Sequence, residues 1–119
     1  MGLIGCGGRA RSHMASFEKM ENVAVVAVAD PVEERRLETA KRFGCDRSYK
    51  DHREFYAHED KTTLDAVVIA IEPTAHDGVE ETAIDKGLPF LVEKPMAMSM
   101  KDADEIVKRS KEKGVKVSV

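Results

Sequence analysis

The stretch Met1-Gly2-Leu3-Ile4-Gly5-Cys6-Gly7-Gly8-Arg9-Ala10-Arg11 decides how the rest of the chain is read. Gly2-Leu3-Ile4 reads as the end of a buried strand, and Gly5 to Ala10 turns the chain into a helix. Gly5 can take a backbone angle that a Cβ forbids, so the strand can turn sharply. Gly7 keeps side chains out of the way of a close-approaching ligand, and Ala10 is small enough for the helix to sit tightly on the strand. The first N–H groups of such a helix lack internal partners and carry partial positive charge. Together these features predict a turn that cradles a diphosphate. A tight turn with no ligand explains the same residues, so the surroundings must decide.

The surroundings favour the ligand. Val23-Ala24-Val25-Val26-Ala27-Val28-Ala29 is a near-continuous apolar run, as in a parallel strand buried on both faces. It ends at Asp30, roughly twenty residues past Ala10, where the dinucleotide fingerprint places a carboxylate on the ribose hydroxyls. Asp30-Pro31-Val32-Glu33 also has the pattern of a helix start, with Asp as N-cap, Pro at the first helical position and Glu three after the cap. Both roles draw on the same two oxygens, and ribose binding is preferred because loop and acid occur together at this separation. Arg35, one turn beyond Asp30, reaches towards the adenine end of a dinucleotide on this reading.

Composition bounds the alternatives. The 119 residues fit one domain, and 42% hydrophobic with 34% charged residues fits a globular protein. A net charge of −3, with Lys and Arg spread along the chain, provides no footprint for nucleic acid. No apolar run approaches the roughly twenty residues of a membrane span, and no basic-then-apolar leader stands at the start. The expected location is the cytoplasm. The two cysteines, Cys6 and Cys45, have no metal-like pairing, and no metal site is expected. Cys6 at a helix N-terminus is either a thiol of lowered pKa or a small residue filling the second loop position; the filler is preferred. His13, His52 and His58 read as polar flank or surface.

Taken in order, strand and helix alternate. A first helix over about Gly8–Met20 buries Ala10, Met14 and Phe17. A second over about Val32–Phe43 turns Leu37 and Ala40 inward and stops at Gly44. Arg47-Ser48-Tyr49 is a short extended piece, and Asp51 to about Ala57 a short helix with Phe55 inward. Asp65–Ile71 is the next strand and runs into Glu72-Pro73-Thr74-Ala75-His76. A helix over about Asp77–Lys86, the strand Pro89–Val92, a helix from Ser99 to near Gly114 with Ile106 and Val107 inward, and a strand over Val115–Val119 complete the order. The fold expected is a doubly wound parallel α/β sheet of about six strands with helices on both faces. Ligands in such sheets bind beyond the carboxyl ends of the strands, where the strand order reverses.

At Glu93-Lys94-Pro95, after the fifth strand, the chain resembles the N-terminal dinucleotide-binding (Rossmann) domain of the Gfo/Idh/MocA oxidoreductases. The resemblance spans essentially the whole chain and rests on the Gly5-Cys6-Gly7-Gly8-Arg9-Ala10 loop, Asp30 with Arg35, His76, and the Glu93-Lys94-Pro95 motif in register with that His. It implies an NAD(P)-dependent enzyme moving hydride between a nicotinamide and a sugar, polyol or related hydroxy compound. It also implies that Lys94 lies near the nicotinamide and the reacting hydroxyl, that Glu93 positions the loop, and that Ile71, Glu72 and His76 stand beside the cofactor. His76 has an equal alternative as a cap on the following helix, and a cis bond is expected before Pro95. Ile71-Glu72-Pro73 departs from the family's Thr-Pro-Asn at those positions, and Glu72 brings a negative charge to the site.

NAD is favoured over NADP, because a carboxylate at Asp30 accepts from ribose hydroxyls and repels a 2′-phosphate. The family's substrate domain, which supplies the catalytic His, is expected to be missing from residues 1–119. The chain is then expected to bind dinucleotide without turnover and to self-associate through a bare sheet face. Two alternatives stand beside this: a methyltransferase domain binding S-adenosylmethionine, and a non-catalytic module that responds to dinucleotide.

Overall fold

The computed structural model describes residues 1–119 as a single six-stranded sheet in which every pairing is parallel. The strands are β1 (Gly2–Ile4), β2 (Ala27–Ala29), β3 (Arg47–Tyr49), β4 (Val67–Ile69), β5 (Phe90–Val92) and β6 (Val117–Ser118). Between them run α1 (Gly8–Phe17), α2 (Glu33–Phe43), α3 (His52–His58), α4 (Val79–Asp85) and α5 (Met100–Lys113), with a 3₁₀ turn at Pro73–Ala75 ahead of α4. The order across the sheet is β3-β2-β1-β4-β5-β6, so the chain steps one way from β1 and the other way from β4. That is the doubly wound Rossmann order, and its switch point lies between β1 and β4.

Alternation along each strand assigns the helices to faces. Leu3, Val28 and Val68 pack with Ala10 and Met14 of α1 and Ala40 of α2. Ile4, Ala27, Ala29, Val67, Ile69, Phe90 and Val92 pack with Phe55 of α3, Val79 and Ala83 of α4 and Ile106 of α5. Because β1, β2 and β4 are buried on both faces, they carry apolar runs instead of polar alternation, whereas the edge strands β3 and β6 do not. On the α1–α2 side no helix covers β5 and β6, and Leu91 there is only half-buried.

Several expectations are corrected in detail. Leu37 and Val107 do not face inward: they are 51% and 40% exposed. The buried positions are Thr39 and Ala40 in α2 and Ile106 and Ser110 in α5. Each corrected side chain sits about 100° round its helix from the face that packs. Small polar residues complete those faces, and Ser110 satisfies its hydroxyl by donating to the Val107 carbonyl at 2.8 Å. Asp30 does not cap α2, which begins at Glu33 after Val32. The second strand is also shorter than its apolar run: Val25 is buried and Val26 N–H donates to the Met1 carbonyl, but the regular ladder starts at Ala27.

Candidate functional site

The Gly loop leaves β1 at its carboxyl end, where Gly5 N–H donates to the Ala29 carbonyl and Ala70 N–H to the Ile4 carbonyl. Gly5 has φ +96°, and a Cβ there would fall on the Ala70 carbonyl, so only glycine lets β1 turn this close to β4. A Cβ at Gly7 would meet nothing nearer than the Arg35 guanidinium at 3.8 Å, so the space above Gly7 is open. Ala10 is fully buried against the sheet, as its small size requires.

Above this loop a groove follows the carboxyl edge of the sheet as three adjoining cavities. The first, of about 580 Å³, lies between Asp30-Pro31 and Asp51-His52-Arg53. The second, about 170 Å³, runs over Gly5 and Gly7 beside Arg35 and Glu72 and shares Gly5, Asp30 and Ile71 with the first. The third, about 250 Å³, passes Gly7, Gly8 and Arg9 to Glu93 and Lys94, sharing Gly7, Ile71 and Glu72 with the second. Loop, acid and Lys motif, separated by up to 89 positions between Gly5 and Lys94, thus meet along one channel at the β1–β4 switch point.

The electrostatics of the channel suit an anion. Helix α1 has no side-chain cap and no acid in its first turn, whereas α2, α3, α4 and α5 each carry an acid there. Of the eight arginines, Arg9 and Arg35 are the two without an ion-pair partner, and both line the channel at the loop. Lys94 is exposed at the far end and has no acidic partner either. Glu72 is an opposing charge beside the loop, exposed on the channel wall, and Asp51 and Asp77 stand farther off in the first cavity.

Asp30 is 6% exposed and its two oxygens are each engaged once: Oδ2 accepts from Cys6 N–H and Oδ1 from Val32 N–H, both at 2.8 Å. A carboxylate has about four acceptor sites, so one lone pair on each oxygen is left. The carboxylate therefore braces the loop against the β2–α2 turn. Arg36 completes that brace by donating to the Asp30 carbonyl at 3.0 Å.

Two site candidates lie off the channel. Cys6 points its sulfur into the core under α1, and burial pushes its thiol up to about 11, the reverse of the lowered pKa a helix N-terminus suggested. His76 is paired through Nδ1 with Glu80 and lines a separate cavity with Met96 and Met98. The Lys94–Pro95 bond is cis, as the motif led one to expect.

Four residues of the site escaped the sequence reading. His13, expected as a polar flank, sits 2.6 Å from Glu93 Oε1 through its Nε2. His52, expected on the surface, and its neighbours Asp51 and Arg53, expected only as part of a short helix, line the first cavity. The signal was available for the second group: they follow β3 at the carboxyl edge, where the topology puts ligands.

No helix is long and apolar enough to cross a membrane. Over residues 1–119 the chain matches the family model described as "Oxidoreductase family, NAD-binding Rossmann fold". It is 31% identical over 98% of its length to a D-apiose dehydrogenase of Paraburkholderia graminis and 35% identical over 88% to an inositol 2-dehydrogenase of Streptomyces avermitilis. In each case it covers 30% of the relative. A crystal structure of an oxidoreductase from Agrobacterium radiobacter in complex with NAD+, L-tartaric acid and magnesium superposes with a TM-score of 0.88 at 27% identity, over 98% of this chain and 33% of that one. The chain thus spans about a third of the length of the relatives it matches. None of these likenesses supports a methyltransferase. With the switch-point channel in place and the family model matching from end to end, the chain belongs to the Gfo/Idh/MocA oxidoreductases as an NAD-binding Rossmann domain.

Proposed function

We propose that the channel holds NAD along its length, with the adenine in the cavity at Asp51 to Arg53 and the nicotinamide at Lys94. The free lone pairs of Asp30 accept from the adenosine ribose hydroxyls. The N–H groups of Gly7, Gly8 and Arg9 and the side chains of Arg35 and Arg9 receive the diphosphate. Ile71 and Glu72 form the wall opposite the loop. The observation that carries this reading is the position of Arg9 and Arg35, the two arginines with no acidic partner, at the one helix start that has neither cap nor acid. Of the two roles weighed for His76, its pairing with Glu80 supports the one that belongs to α4.

The residues fit the cofactor because the Gly7 cradle is open and the charge is complementary. When bound, the nicotinamide supplies hydride chemistry. Lys94 then orients and polarises the hydroxyl of a sugar, polyol or related compound in a longer protein of which residues 1–119 form the nucleotide-binding domain. Hydride transfer also needs a general base held in place, and the channel offers only Lys94 for that work. Residues 1–119 by themselves therefore bind cofactor without turnover. Asp30 sets the preference for NAD over NADP by repelling a 2′-phosphate.

Calorimetry with NAD+, NADP+ and S-adenosylmethionine tests the assignment. NAD+ is expected to bind tightest and S-adenosylmethionine not at all. A chain that ignores NAD+ would sink the proposal, and tighter NADP+ binding would reverse the preference. Self-association through the uncovered flank at Leu91 is read by sedimentation velocity, where a clean monomer at high concentration removes it.

A further inference from the structure

We propose that His13 is a positioning residue for the nicotinamide half of the site, holding the Glu93-Lys94-Pro95 loop in one frame with the phosphate-binding helix through its bond to Glu93. The inference rests on the NAD reading above, and it concerns a residue that the sequence pattern left on the flank of α1.

The geometry is specific. His13 Nε2 lies 2.6 Å from Glu93 Oε1, with the two side chains 27% and 21% exposed. Glu93 is held below the usual carboxylate range, first by this bond and then by the charges of His13 and Arg9. Its oxygen is therefore the acceptor and His13 Nε2 carries the hydrogen, in the neutral or the protonated ring alike. The imidazole is fixed from its other side by stacking on Phe17, with centroids 6.1 Å apart and planes 17° from parallel. Glu93 is fixed from its backbone, whose N–H donates to the Ile69 carbonyl at 2.9 Å.

The connectivity gives this bond its meaning. The other side-chain polar bonds from α1 run to α2: Arg11 to Glu38, and Met14 to Arg42. His13–Glu93 alone crosses from α1 to the β4–β6 half of the sheet. It ties the element that receives the diphosphate to the loop that carries Lys94. Arg9 stands one turn before His13 on the same helix face and lines the same cavity as Glu93 and Lys94. Without the bond, the loop would keep its tie to β4 through Glu93 N–H and lose its side-chain tie to α1.

The test separates the two halves of the ligand. NAD+ and ADP-ribose share the adenosine and the diphosphate, and ADP-ribose lacks the nicotinamide ring. In the wild-type chain NAD+ is expected to bind tighter than ADP-ribose. In His13→Leu, which keeps bulk but has no donor, that advantage should shrink about fivefold while ADP-ribose binding stays put. His13→Gln, whose amide can donate to Glu93, should restore much of it. Thermal melting of each variant accompanies the titrations, so that loss of fold is seen directly. Equal weakening of both ligands would overturn the proposal by making His13 a support of α1 alone. An unchanged ratio, or a wild-type chain with no preference for NAD+ over ADP-ribose, would overturn it too. A wild-type chain that binds neither ligand would defeat the NAD reading itself, which the other outcomes leave standing.

Discussion

Helices α1 and α5 both start at the carboxyl edge of the sheet, and their first turns are finished in opposite ways. At α5, Ser99 accepts from Asp102 N–H at 3.1 Å and donates to Asp102 Oδ2 at 2.7 Å, so the helix satisfies its own end. At α1, Gly7 stands where a capping side chain would be, and no acid follows. Two partnerless arginines gather there instead. An exposed start with spare donors and spare cations is costly for a helix in isolation, and it becomes economical only when a ligand supplies the missing acceptor. Capping is thus a stability device at one end of this edge, and its omission is a binding device at the other.

The contrast breaks most severely at the turn that makes it. Gly5→Val forces a β-branched residue to φ +96° against the Ala70 carbonyl. It should cost about 3 kcal/mol or more of stability, read by denaturant melting. Gly8→Asp is subtler, since a Cβ at Gly8 meets nothing within 4 Å. It gives α1 the acid that the other helices have, so stability should hold or rise by about 0.3–1 kcal/mol. Dinucleotide affinity should meanwhile fall at least about tenfold as carboxylate and diphosphate compete for the same donors. Ser99→Ala should do the reverse, losing about 1 kcal/mol of stability while NAD+ affinity is untouched. Should Ser99→Ala weaken binding as well, the two helix starts are not separate devices.

The smallest effect is expected in acid. Asp85 is held below its ordinary range chiefly by its bond from Lys113, with Arg109 adding to it, and this ties α4 to α5. Glu93 is likewise held low by His13. A carboxyl whose folded pKa is depressed contributes stability above its unfolded value, about 4. That contribution is lost as pH falls through the folded value. Melting temperature should therefore fall below about pH 4, and Asp85→Asn should flatten that part of the curve. A flat profile from pH 5 to pH 2 would show that neither tie matters.

The framework was legible because β1, β2 and β4 are buried on both faces and β5 on one, and each announces itself as an apolar run. The loop was legible because Gly5 alone can take φ +96° against the Ala70 carbonyl, and because Gly7 leaves the space above it open. Helix phase was less so. In α2 the inward positions include Thr39 and the mostly buried Arg36, so an apolar Leu37 misdirects the reading by one position. The His13–Glu93 bond was out of reach, since it joins residues 80 positions apart and depends on how far the β5 loop bends back. Asp30 was seen as either cap or ligand group and turned out to brace the loop, because a buried carboxylate fills with the nearest donors.

That brace has a consequence for anyone wishing to re-engineer the cofactor preference. Exchanging Asp30 for a small neutral residue, the obvious way to admit a phosphorylated ribose, would also strip Cys6 N–H and Val32 N–H of their shared acceptor. Asparagine keeps a single acceptor oxygen for those two donors, and alanine keeps none. Retargeting this domain therefore demands a paired design, in which a new acceptor for the Cys6 amide is introduced together with the change that removes the charge.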